Sequence, residues 1–285
     1  MAGGAGVTKE PGTDRFAARF HAAGYSVLAF DHRHLGESGG TPRQVVRVRE
    51  QLADWRAALD YAESLPGVVA SKIAGWGFSL AGGHLLRIAA QRPGHDGLAA
   101  VIAQAPLADG AASMPHALRH ETLEVLARFQ VLALRDAARA LAGREPLLVP
   151  LAGPRGAVAM LTTPDAADGD RALNPANAYP QWQQSIAVRS VIPVGLYRPG
   201  NMARRISCPL LAVISTDDQS VLAAPALRAA RRAPRAEVLQ IDGGHYAAFL
   251  DQHETVVTAE LDFLHRHLLQ DGPRADEAAS QQSHR

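Results

Sequence analysis

Lys72-Ile73-Ala74-Gly75-Trp76-Gly77-Phe78-Ser79-Leu80-Ala81-Gly82-Gly83 is the stretch on which the fold of this chain turns. Lys72 to Phe78 is a short, mostly apolar run of strand length, and Leu80 to Gln91 continues as a helix face. Ser79 stands at the junction, with Gly77 two residues before it and Ala81 two residues after. A serine in a sharp strand-to-helix turn needs small residues at both places, because larger side chains would collide across the turn. Such a turn lifts the hydroxyl clear of the backbone and aims the Leu80 N–H, at a helix N-terminus, toward a developing oxyanion. The five-residue pattern alone is a weak signal, and an ordinary turn with a small residue at 79 also satisfies it. Its place between a strand and a helix strengthens it.

Working outward, the same alternation recurs. Phe16 and Phe20 have helical spacing, and Tyr25 to Phe30 reads as a buried strand. Gln51 to Leu65 is helical, with Leu52, Trp55 and Leu59 on one face. Leu98 to Gln104, Leu210 to Ser215 and Glu237 to Ile241 read as further strands, and Ala223 to Arg232 as a helix. Val257, Leu261, Leu264 and Leu268 mark a last helix. Strands alternating with helices predict an α/β fold with a mainly parallel, doubly wound sheet, whose sites lie beyond the carboxyl ends of its strands. A serine nucleophile needs a base, and the base an orienting acid. Asp217 and Asp218 follow the strand at 210–215, and His245 follows the strand ending at Ile241, so acid and histidine leave the same sheet edge as Ser79.

About a hundred residues separate the strands at 98–104 and 210–215, far more than one crossover helix needs. Val125, Phe129 and Leu132 mark a helix there, and Pro150, Pro154, Pro164, Pro175 and Pro180 interrupt the remainder of the segment. The expected organisation is a core of 1–110 and 205–270, a helical lid insertion at 111–204, and a polar, disordered tail at 271–285.

The totals exclude several classes. A net charge of +1 over 285 residues gives no ground for a nucleic-acid or membrane-surface partner. Cys208 is the sole cysteine, so neither an intramolecular disulfide nor a cysteine-based metal site can form. The first residues lack the pattern of a signal peptide, and no run approaches the ~18 apolar residues of a membrane span. A soluble cytoplasmic protein is the expectation, with oligomeric state open.

Tyr25-Ser26-Val27-Leu28-Ala29-Phe30-Asp31-His32-Arg33-His34-Leu35-Gly36-Glu37-Ser38-Gly39-Gly40 resembles the strand-and-loop signature of bacterial α/β-hydrolases, usually a strand followed by Asp-x-Arg-Gly-x-Gly-x-Ser. His34 departs from it where glycine is usual. The elbow at 77–81, the acid at 217–218 and Gly244-His245 are similar to the same family, near dienelactone-hydrolase-like and serine-aminopeptidase-like proteins. The family's acid motif, Gly-x-x-Asp-x-x-Val-Pro, fits Ser215 to Val221 in the register that makes Asp218 the acid, with Asp217 as the alternative. Ser215 replaces the glycine, and proline arrives only at Pro225. The resemblance covers most of 1–110 and 205–270. It implies hydrolysis of a small-molecule acyl substrate through an acyl-enzyme, without metal or organic cofactor, an ester being the default among amides, thioesters, lactones and carbon–carbon bonds.

The resemblance also implies a His-Gly-x-Gly loop supplying the second oxyanion donor. Gly3-Gly4-Ala5-Gly6 is similar to it, with Gly3 in place of histidine and Ala5 as donor. Only Met1 and Ala2 then remain where the family has a central strand, which normally lies between the strands at 25–30 and 72–78. Either the true start lies upstream, or the strands close ranks or borrow a partner and the oxyanion loop sits at a floppy terminus. Two other classes stay open: a weak or inactive fragment or binding protein of the same fold, and a cofactor-free haloperoxidase or lyase.

The remaining candidates have plainer readings. Asp31 and Arg33 are expected to brace their loop by pairing, and Glu37 and Ser38 to serve the same loop. His32 and His34 lack an obvious third metal ligand. His116 and His120 have metal-ligand spacing, but a solvated helix face explains them better. His84 is expected to be packed. Met114, Phe129, Met160, Trp182 and Tyr197 either contact an apolar acyl group or form the lid's own core.

Overall fold

Alternating glycines and aromatics build the centre of the sheet. In the computed structural model, which describes residues 1–91 and 97–269, Ala74–Phe78 forms strand β1 after the helices α1 (Lys9–Ala22) and α2 (Val48–Ser64). Trp76 and Phe78 point to one face, where they join Phe16 and Phe20 of α1 in one hydrophobic cluster. Gly75 and Gly77 face the other way, toward α3 (Leu80–Gln91), and a Cβ at Gly75 would lie 2.6 Å from Leu85. The helix after Ser79 therefore packs directly on the strand before it.

The next strands repeat this two-sided pattern. β2 (Ala100–Gln104) pairs in parallel with β1. The insertion then supplies α4 (Gly110–His120), α5 (Leu123–Leu141), β3 (Leu148–Pro150), α6 (Gly169–Leu173), β4 (Ser185–Ala187) and α7 (Val188–Gly195). β5 (Leu210–Ser215), α8 (Ala223–Ala230), β6 (Ala236–Ile241) and α9 (His253–Leu264) complete the core, and His265–Leu269 extends α9 as a π-helical turn. The order β1-β2-β5-β6 is parallel throughout. Leu210, Ala212 and Ile214 of β5 meet α2, α3 and α8, while Leu211 and Val213 meet the layer of α1 and α9. Helices thus cover both faces, as a parallel sheet requires.

The expected buried strand at 25–30 is corrected. This segment is half-buried and forms no regular strand. Its neighbour is the two-residue stub Met1–Ala2, which keeps the place between it and β1. Ala2 N–H donates to the Trp76 carbonyl and Phe78 N–H to the Ala2 carbonyl, while Met1 donates to the Leu28 carbonyl and Phe30 N–H to the Met1 carbonyl. These bonds reach only Leu28 and Phe30 of the apolar run. Because Met1 and Ala2 bond to both, residues 25–30 and β1 do not close ranks.

The insertion is helical as expected but also carries a small antiparallel ribbon, β3–β4. Its elements are tied by the buried Asp136 of α5, which takes a two-pronged bond from the Arg189 guanidinium of α7 at 2.7 and 2.9 Å and accepts from the Leu147 and Arg189 amides. The expected tail at 271–285 lies outside the described residues. Among the described residues no helix is long and apolar enough to cross a membrane.

Candidate functional site

Ser79 stands one residue beyond β1 with φ of +56°, a left-handed conformation that costs a non-glycine residue on the order of 1 kcal/mol. The surroundings hold it there. Its N–H donates to the Gln104 carbonyl, and its own carbonyl accepts from Gly83 and Leu107. Gly77 is obligatory, since a Cβ would lie 2.6 Å from the Ala81 carbonyl carbon.

The carboxyl ends of β5 and β6 bring two side chains to this serine. His245 Nε2 lies 3.0 Å from Ser79 Oγ, and its Nδ1 lies 2.7 Å from Asp218 Oδ2. The second Asp218 oxygen accepts from the Val221 amide, which fixes the carboxylate plane. Asp218 and His245 are both buried, whereas Asp217 is exposed and, among the described residues, bonds to Gly243. The imidazole packs on the Phe78 ring at 4.9 Å and the Tyr246 ring at 5.0 Å. Burial works to lower the His245 pKa, but the charge and hydrogen bond of Asp218, with the charge of Asp165, outweigh it and raise the pKa above the ordinary imidazole value.

On the other side of Ser79 lies the glycine loop. A Cβ at Gly4 would stand 3.1 Å from Ser79 Cβ, so backbone approaches the hydroxyl closely. Ala5 from this loop and Leu80 at the start of α3 both line the cavity beside Ser79. The loop is not loose. The buried Trp182 indole of the insertion donates to the Gly6 carbonyl at 2.9 Å, and Leu151 packs where a Gly6 side chain would be.

The cavity over Ser79 holds about 530 Å³. Met114, Val125, Phe129, Met160, Trp182 and Ile192, all from the insertion, form apolar wall. Tyr197 does not reach it: it is buried beside His84, whose ring it meets with its hydroxyl at 3.3 Å and which also bonds Gln51 at 2.9 Å.

The signature loop at 31–40 is structural. Asp31 and Arg33 do not pair with each other. The Asp31 carboxylate accepts from the Lys9 and Glu37 amides, and its carbonyl from the Ser38 hydroxyl; Arg33 pairs with Asp54 at 2.6 Å. His34 has φ of +71°, which explains why glycine is usual there, and its ring bonds Glu50 at 3.0 Å. His32 is buried against Phe30 and His84, and its Nδ1 lies 3.4 Å from Asp54. His116 and His120 are half-buried on α4. Among the described residues no cluster of three or more histidine, cysteine or acidic side chains could hold a metal ion.

Sequence reasoning missed Asp165. It lies in the short 3-10 helix Pro164–Asp168 of the insertion, buried against both catalytic-side loops. Its Oδ2 accepts from the amides of Gln219 at 2.8 Å, Ser220 at 3.2 Å and His245 at 3.2 Å, and its Oδ1 from the Ser220 hydroxyl at 3.0 Å. A proline-led turn was its one local signal, and that signal names no partner.

The chain is similar to known proteins in sequence and in fold. Residues 11–142 match the family described as Serine aminopeptidase, S33. The chain is 37% identical over 268 residues to the quorum-quenching protein AidA of Acinetobacter baumannii, covering 93% of this chain and 85% of that one. Among solved structures it resembles the α/β hydrolase GrgF from Penicillium sp. (TM-score 0.74, 25% identity, 95% of this chain and 89% of the other). It also resembles the hypothetical protein PA2218 from Pseudomonas aeruginosa (TM-score 0.75, 22% identity, 94% and 83%), a likeness of fold. With sheet order, elbow and relatives in agreement, the chain belongs to the α/β-hydrolase superfamily.

Proposed function

We propose that the chain is a serine hydrolase that cleaves a carboxylic ester, or a related acyl bond, through an acyl-enzyme. The observation that carries this reading is the run of hydrogen bonds from Ser79 Oγ through His245 to Asp218 at the floor of an apolar cavity. In the proposed reaction Ser79 Oγ attacks the acyl carbon as His245 Nε2 takes its proton. The Nδ1–H donates to Asp218, which holds the tautomer that leaves Nε2 free and stabilises the imidazolium. The amides of Leu80 and Ala5 stabilise the oxyanion. The tetrahedral intermediate collapses, the carbon–oxygen bond to the leaving group breaks, and His245 returns its proton to that oxygen. Water then attacks the Ser79 ester and gives a proton to His245; the bond from the acyl carbon to Oγ breaks, His245 returns the proton to Oγ, and the carboxylic acid leaves.

The apolar insertion wall supports a substrate with a hydrocarbon acyl group. A cavity of about 530 Å³ exceeds what an acetyl group fills. Relatives named as a thiohydrolase and an acyltransferase, matched over 29% and 32% of this chain, support chemistry on an acyl group without fixing leaving group or acceptor. The test is rapid mixing with p-nitrophenyl esters of rising chain length. A burst equal to the enzyme concentration, an acyl adduct on the Ser79 peptide, and a kcat/KM that climbs from acetyl to longer chains are expected. Turnover that survives in Ser79→Ala would contradict the acyl-enzyme.

A further inference from the structure

Two loops must meet for His245 to face Ser79: the loop after β5 that carries Asp218 and the loop after β6 that carries His245. We propose that Asp165, supplied by the insertion, is a positioning residue that clamps these two loops together and couples the lid to the geometry of the histidine.

The geometry is that of a clamp. One carboxylate oxygen, Oδ2, collects backbone N–H groups from both loops: Gln219 and Ser220 beside the acid, and His245 itself. The other oxygen accepts from the Ser220 hydroxyl, which in turn meets the Thr163 hydroxyl at 2.9 Å. Gly244 is shaped to the contact, since a Cβ there would lie 2.6 Å from Asp165 Cβ. Asp165 is not in the cavity wall, although Ala166 and Ser220 are, so it works from behind the site. A carboxylate accepting several amides is held ionised: burial raises the Asp165 pKa, but the bonds from Thr163, Gln219 and Ser220 and the charge of His245 more than offset that and lower it. An asparagine at 165 can turn its one amide oxygen to the three N–H groups but brings no charge, so bonds that were charge-assisted become neutral ones about half as strong.

A clamp that carries charge also acts on the imidazole. Asp218 faces His245 from the β5 loop, Asp165 from the insertion, Tyr246 from its own loop, and Phe78 and Ser79 from the β1–α3 turn. The two carboxylates are the charges that favour the imidazolium. Asp165 therefore does in part what Asp218 does, without touching the ring. Because it belongs to the insertion, a displacement of that segment releases both loops and removes a charge.

The role rests on the hydrolase reading, but its test needs no turnover. The His245 ring is titrated by NMR, assigned by its loss in His245→Gln, in the wild type and in Asp165→Asn. Amide hydrogen exchange is followed at Gln219, Ser220 and His245. In Asp165→Asn the His245 midpoint is expected to move to lower pH, and the three amides to exchange together, at least ~10-fold faster. Gly244→Ala, which keeps the charge but pushes on the clamp, is the second variant, and the same three amides must quicken there. An unmoved midpoint in a folded Asp165→Asn overturns the proposal, as does wild-type exchange in either variant. A chain that titrates as expected yet never acylates would overturn the hydrolase reading and leave the clamp standing.

Discussion

The two sides of Ser79 are held by different means. On one side β5 and β6 run in register from Leu210–Ala236 to Ser215–Ile241 and deliver the Asp218 and His245 loops from the ends of a continuous parallel ladder. On the other, the glycine loop with Ala5 leaves the stub Met1–Ala2, tied to β1 by a single bridge at Gly77. The insertion makes up the difference: Trp182 holds the Gly6 carbonyl and Leu151 packs on the same loop. It reaches the first side as well, through Asp165. Sheet geometry thus sets one half of the site and contacts from the insertion set the other, so the segment that covers the cavity is also part of its frame.

The comparison can be broken by mutating each side in turn. Asp218→Asn on the ladder side keeps the shape but favours the wrong histidine tautomer. A loss of kcat of about 10⁴-fold is expected, with the unfolding midpoint little changed. Ala5→Pro on the stub side removes one amide donor. It should lower kcat by about 10²–10³-fold while Ala5→Gly, which keeps the N–H, stays near wild type. Equal activity of the two Ala5 variants would remove Ala5 from the oxyanion site.

Trp182→Phe sharpens the claim that the insertion frames the stub side. It leaves the Gly6 carbonyl without its donor, so a stability loss of about 1–2 kcal/mol is expected by denaturant titration. A kcat reduction of about tenfold should accompany it as the loop shifts. If stability falls and kcat does not, Trp182 packs the lid without ordering the loop.

The smallest effect concerns the layer beneath. Glu260 of α9 is fully buried, with both carboxylate oxygens 3.1 Å from the Trp76 indole nitrogen. Burial raises its pKa well above the ordinary glutamate value, although the indole bond opposes this. Below pH 4.5 both folded and unfolded chains hold the proton; above it the unfolded chain ionises first, so this group's contribution to stability falls as pH rises. Glu260→Gln keeps the acceptor for Trp76 and has no proton to lose. Its melting temperature should match wild type near pH 4 and exceed it increasingly toward neutrality. A gap independent of pH would contradict the sign.

The contrast between the two sides also marks what the sequence disclosed. β1, α3, β2, β5 and β6 were legible because each is an apolar run or helix face bounded by turn residues; Ser79, His245 and the pair Asp217–Asp218 followed from their places at strand ends, and the resemblance to the hydrolase acid motif favoured Asp218 of the two. Residues 25–30 misled because a strand is a property of a pair, and an apolar run does not show how many ladder bonds it makes: Met1 bonds only to Leu28 and Phe30 among the described residues. The β3–β4 ribbon was hidden by three-residue strands on either side of a proline-broken stretch. Asp165 was invisible because three of the four donors it meets are backbone amides, 54 to 80 residues away. Backbone partners leave no side-chain pattern to read.

The most direct test of the central claim is fluorophosphonate labelling of the purified protein, mapped by peptide mass, with Ser79→Ala as control. The account predicts one tag on Ser79, lost in the mutant, with labelling that slows as pH falls through the raised His245 pKa. A folded protein left unlabelled at Ser79, or labelled equally in Ser79→Ala, would contradict it.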